Sequence, residues 1–120
     1  MQGINAVIRN PAFAPSFFFT PVLIFVTAAL AYGSCLPWRC FVAAGSLYVL
    51  GALLLTFWVN VPMNEALAQI TIPTDSAVAS SIWQAYSAPW QFWNTLRTVV
   101  SGFALIITGL GILSLSAERA

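Results

Sequence analysis

TLRTVVSGFALIITGLGILSL, residues 95–115, carries one charge, Arg97 near its start, and is otherwise apolar, small or hydroxylic. About 20 such residues, rising roughly 1.5 Å each as a helix, cross the hydrocarbon core of a bilayer. Residues 17–34 and 41–59 have the same character, so three transmembrane helices are expected. The composition agrees. Of 120 residues, 60% are hydrophobic and 6% charged, and mean hydropathy is +0.88. A soluble domain carries about 25% charged residues. The reading is an all-α integral membrane protein with a single domain over residues 1–120, and the bilayer is its first partner. Arg9 precedes the first apolar run as it would in a signal peptide, but that run is read as a retained span.

The charged residues are Arg9, Arg39, Arg97, Arg119, Glu65, Asp75 and Glu118, giving a net charge of +1 without lysine or histidine. Such a chain has no basic face for nucleic acid, which is set aside as a partner. The absence of histidine removes the usual haem ligand and the commonest zinc, copper and non-haem iron ligand. Cys35 and Cys40 are the only thiols, and two small apolar residues at a helix boundary explain them better than a metal site. No metal and no cofactor are expected.

The connections are unequal. Residues 35–40, with Pro37, read as a tight turn. In residues 60–94, Asn60 is a good N-cap ahead of Pro62, and a short helix through Leu67 and Ile70 follows. Ile72-Pro73-Thr74-Asp75 breaks that helix, and Asp75 can cap another running to about Ser87. Pro89 then marks a kink or restart. Short interfacial helices are thus expected over residues 60–94. Residues 1–10 read as helical too, with Gln2, Asn5 and Arg9 on one face until Asn10-Pro11.

Chain order places the N-terminal segment and residues 60–94 at the same end of the bundle. Gln2, Asn5, Arg9, Asn60, Asn64, Glu65, Trp83, Tyr86, Trp90, Asn94 and Arg97 therefore converge. The positive-inside rule sets Arg39 and Arg119 against Arg9 and Arg97, with Glu65 and Asp75 on the latter side. It leans toward a cytoplasmic Cys35–Cys40 turn, residues 60–94 outside the cytoplasm, and a place in the inner (cell) membrane of a bacterium.

Within this convergence one pattern stands out. At about 100° per residue, Trp83, Trp90, Asn94 and Arg97 fall within roughly 60° of one another, with Tyr86 beside them. An arginine at a membrane boundary is costly enough to need a partner or a task. The bland readings are real: interfacial aromatic belts explain Trp38, Trp58 and Trp93, and core packing could explain the stripe itself. Arg97 could simply pair with an oxygen of the Asn60–Glu65 segment, Glu65 included.

Met1-Gln2-x-Ile4-Asn5, Asn10-Pro11-x-Phe13, Asn60-x-Pro62-x-Asn64 and Trp83-x-x-Tyr86-x-x-x-Trp90-x-x-x-Asn94-x-x-Arg97 together resemble the anthrone oxygenase-like membrane family. Most bacterial members of that family are known only as a domain of unknown function. The resemblance covers nearly the whole chain. It implies a four-helix-bundle-like fold with long connections on one face, in which Met1-Gln2 matches an internal position, so the family's first helix lies upstream or comes from elsewhere. It also implies oxidation of a hydrophobic aromatic, an anthrone, by O2 without a bound redox cofactor. Such chemistry needs a flat apolar site, deprotonation of an acidic carbon and stabilisation of the enolate. Asn60, Asn64, Trp83, Tyr86 and Trp90 are then the candidate substrate-binding residues. Arg97 and Asn94 are candidate catalytic donors, and Glu65 a candidate base if buried.

A second class stays open: a non-catalytic accessory subunit of a larger membrane complex. Ser101 and Thr108 continue the Arg97 face, beside Gly102, Gly109 and Gly111. Small residues of this kind let helices approach closely, so a neighbouring helix is expected there, from a second copy or another membrane subunit.

Overall fold

The computed structural model describes residues 13–119, so the expected N-terminal helix with Gln2, Asn5 and Arg9 lies outside the described residues. The described chain is all helix and turn. Helix α1 is Phe13–Leu30, α2 is Cys35–Ala68 and α3 is Ser76–Arg119. Both α2 and α3 are long and apolar enough to cross a membrane; α1 is apolar but shorter.

The turns differ from expectation in instructive ways. The α1–α2 turn occupies residues 31–34, ahead of the expected 35–40. Gly33 makes it, at φ +106°, a conformation that costs glycine little. Pro37 then falls in the first turn of α2, where its missing N–H is harmless. The separate interfacial helices are not separate. Val61–Ala68 continues from α2, and α3 runs unbroken from Ser76 through Pro89. Only residues 69–75 are non-helical between them. Asp75 does cap α3, its Oδ1 accepting from the Ala77 N–H at 2.8 Å. Asn60 does not cap: its backbone is helical and its side chain makes no cap bond.

The reason α2 passes Asn60 lies in two wider turns, Val49–Leu54 and Thr56–Asn60, with i→i+5 hydrogen bonding. Pro62 has no N–H for the Trp58 carbonyl, and its ring would crowd that carbonyl in a regular helix. A π turn just before it lets the axis continue. Pro21 in α1 leaves the Phe17 carbonyl without its intrahelical donor in the same way. Here Tyr48 Oη, on α2, donates to the Phe17 oxygen at 3.4 Å.

Helix α2 packs against α1 on one side and α3 on the other. Phe18 meets Phe57 with ring centroids 5.7 Å apart, so α1 starts beside the later part of α2. On the α3 side, Gly111 lies against Cys40 and Phe41, and Gly51 against Val100. Both pairs are antiparallel, and they bring the start of α1 and the 69–75 turn to one end. Cys35 and Cys40 sit at the other.

The core is built mostly from small residues, packed around the Phe41 ring, which is 1% exposed. Ala28, Ala31, Ala44, Ala52 and Ala104 are buried, while Leu23, Leu30, Phe19, Leu105 and Leu113 stand exposed. Apolar bulk outside and small side chains inside is the pattern of helices packed in lipid.

A Cβ on Gly51 would lie 2.2 Å from Val100 Cγ1 and 3.0 Å from its Cβ. Gly51→Ala is therefore expected to destabilise the protein by about 1–3 kcal/mol, and Val100→Ala to restore part of that. Gly102, with open space around it, should tolerate alanine to within about 1 kcal/mol. Thermal unfolding in one detergent, followed by circular dichroism, compares the three.

Candidate functional site

One face of α3 builds the site. Trp83 and Tyr86 have ring centroids 5.7 Å apart, and Tyr86 stacks on Trp90 at 6.3 Å and 27°. Their spacings of three and four residues put the rings on one stripe. Tyr86 is buried, 8% exposed, while Trp83 keeps 48% of its surface open. About two helical turns past Trp90, the Arg97 guanidinium donates to Asn94 Oδ1 at 2.6 Å. The expected stripe is present.

The facing residues come from α2 at intervals of four: Thr56, Asn60 and Asn64. Tyr86 Oη donates to Asn64 Oδ1 at 2.5 Å. Arg97 Nη1 donates to Thr56 Oγ1 at 3.4 Å, and that hydroxyl donates onward to the Ala52 carbonyl at 2.6 Å. Arg97 thus reaches one turn deeper than the expected Asn60–Glu65 segment. Glu65 does not pair with it: it lies exposed, and the described residues contain no ion pair. Burial, the physical ground for reading Glu65 as a base, is absent.

Asn60 occupies the middle position of the α2 face, 4% exposed. Among the described residues, neither its Nδ2 nor its Oδ1 has a hydrogen-bond partner, and the buried Trp90 Nε1 has none either. The π turn ending at Asn60 is what keeps this amide in the helix interior, where a capping residue would have stood at an end. Thr56 was not singled out in the sequence, although its four-residue spacing from Asn60 and Asn64 is visible there. The π turns leave no such mark.

A family model described as anthrone oxygenase matches residues 5–107. The chain belongs to the anthrone oxygenase family. The match takes in the whole Asn60–Asn64 and Trp83–Arg97 site and stops within α3. Comparison with curated proteins and with solved structures gave no match. The aromatic run and the Arg97–Asn94 pair of this family member accordingly belong to one continuous, family-matched surface between α2 and α3.

Tyr86→Phe keeps the ring stack and removes the bond to Asn64. It is expected to cost about 1 kcal/mol and to cost almost nothing in an Asn64→Ala background. Unfolding measurements on the two single variants and the double variant give the coupling.

Proposed function

We propose that this protein oxidises a hydrophobic aromatic of the anthrone type with O2 at the α2–α3 face. The observation that carries the reading is the Trp83–Tyr86–Trp90 run of adjoining rings beside a guanidinium that already holds an amide, within the residues matched to the family. The rings offer a flat surface for a planar ligand. Arg97 and Asn94 donate to the oxygen that becomes negative when the acidic carbon between two rings loses its proton, which lowers the cost of the enolate. No buried carboxylate stands at the site among the described residues, so the proton passes to water at the open edge of the site, where Trp83 is half exposed. The enolate carbon passes electrons to O2 and forms a C–O bond. The hydroperoxide that results loses water as its C–O becomes C=O. Overall, one anthrone and one O2 give one quinone and one H2O.

Anthrone-dependent O2 uptake by the lipid-reconstituted protein tests this. Arg97→Lys loses the planar fork and is expected to lower kcat about 10²-fold, Asn94→Ala somewhat less, with both proteins folded. No uptake above the uncatalysed rate by the intact protein rejects the reading.

A second reading, an accessory subunit in a larger membrane assembly, is favoured by one observation. Gly102 and Gly109 have open space around them, on a helix with Phe103, Leu105, Ile106 and Leu110 exposed. Ser101 and Thr108 supply no polar demand for a neighbour, because their hydroxyls donate to the Arg97 and Ala104 carbonyls. Absent O2 uptake together with a stable partner purified on this face would favour that reading.

We also place the 69–75 turn outside the cytoplasm, the 31–34 turn inside, and α1 as a third span in the inner (cell) membrane. In intact cells an impermeant thiol reagent should label Thr74→Cys and leave Cys35 and Cys40 unmodified. Labelling of the native thiols alone inverts the topology.

A further inference from the structure

We propose that Asn60 and Trp90 form a hydroxyl-reading subsite between α2 and α3, specific for a neutral phenolic oxygen on a ligand lying along the aromatic run. The inference deepens the proposed function and rests on its assumption that a ligand enters this face.

The argument is one of level and of inventory. Tyr86 meets Asn64, and a step of four residues from each, about 6 Å along either axis, leads to Trp90 on α3 and Asn60 on α2. The helices are antiparallel, so these steps run together and end at one level. Trp90 shares its stripe with Tyr86 and Arg97, which both bond across to α2. Asn60 shares its face with Thr56 and Asn64, the two acceptors of those bonds. Asn60 and Trp90 are therefore inward neighbours in the layer between two cross-helix contacts.

That layer holds donors at Asn60 Nδ2 and Trp90 Nε1 and an acceptor at Asn60 Oδ1, all buried and without partners among the described residues. Leaving such groups unpaired is costly, more so where no water can reach them. A carbonyl would satisfy the donors and leave Oδ1 unmet, and an ammonium would do the reverse. A hydroxyl on an aromatic ring does both: its proton goes to Asn60 Oδ1 while its oxygen accepts from Asn60 Nδ2 or Trp90 Nε1. An anion finds no fixed charge at this layer, since Arg97 is about 10 Å further along α3. The subsite thus selects and orients a phenol, while Arg97 and Asn94 act on a different oxygen of the same ligand.

The test uses the full chain in lipid nanodiscs and two probes of nearly equal shape, 2-naphthol and 2-methylnaphthalene. Equilibrium partitioning onto protein-loaded discs, relative to empty discs, removes the lipid contribution. Wild-type protein should prefer 2-naphthol about tenfold. Asn60→Leu and Trp90→Phe should each abolish most of that preference. Asn60→Leu should change 2-methylnaphthalene binding less than twofold, while Trp90→Phe, which also trims a stacking ring, should weaken 2-naphthol binding more than that of 2-methylnaphthalene. Asn60→Leu should also leave ligand-free thermal stability equal or higher, because it removes unpaired groups. Equal binding of the two probes by the wild type overturns the proposal, as does parallel loss of both probes in Trp90→Phe or a marked loss of stability in Asn60→Leu. Retained preference without O2 uptake leaves the subsite standing and removes the oxygenase reading. O2 uptake without the preference does the opposite.

Discussion

Everything about this bundle depends on how closely α2 and α3 approach at Gly51. Val100 rests where a Cβ would be, and the contact continues through Gly111 against Cys40 and Phe41. In lipid there is no hydrophobic drive to push helices together, so close packing of small residues and a few cross-helix hydrogen bonds must do it. On α3 the packing residues Val100, Ala104 and Gly111 lie on the same stripe as Tyr86, Trp90 and Arg97, to within roughly 80° at 100° per residue. One helical face therefore has a small, tightly packed half and a large, polar-aromatic half. The first fixes the register in which the second is presented.

Polar groups elsewhere follow the rule that apolar surroundings impose. Thr20, Thr27, Thr98, Ser114 and Ser116 each bond a carbonyl four residues earlier in their own helix. A hydroxyl satisfied that way costs little in hydrocarbon. The carbonyl freed by Pro21 is met by Tyr48 from the next helix. Against this background, the open groups of Asn60 and Trp90 are not what the chain does by habit. They are an exception at the layer where aromatic rings and a guanidinium also gather.

Much of this was legible in the sequence, and the gaps have physical causes. Apolar runs gave the helical class, chain order gave the gathering of Asn64, Tyr86 and Arg97 at one end, and 3.6-residue periodicity gave the stripe. Asp75 was readable as a cap because its side chain acts on the backbone two residues away. Asn60 was misread for the same locality. Asn followed by proline two residues on is a start signal, and only the i→i+5 bonding of Thr56–Asn60 makes it an interior position. Pro89 likewise looked like a break, yet long helices accept a proline when the surrounding turns hold. Glu65 was a candidate base only if buried, but on a helix adjacent residues point about 100° apart, and Asn64 takes the inward place.

The same geometry explains why the site sits where it does and not deeper. Below Arg97 the helices are too close to admit anything, as the Gly51–Val100 contact shows. Toward the 69–75 turn, no residue of Val61–Ala68 is buried, so solvent or headgroups compete for every polar group. Between those limits lies the level of Asn60, which is buried, and there the rings of Tyr86 and Trp90 are too bulky for backbone contact. Proline at position 62 and the π turn before it place the amide of Asn60 in that interval without ending the helix. A fold held by small-residue packing thus leaves one shielded layer whose contents are not needed for packing, and that is the condition for a layer free to serve chemistry.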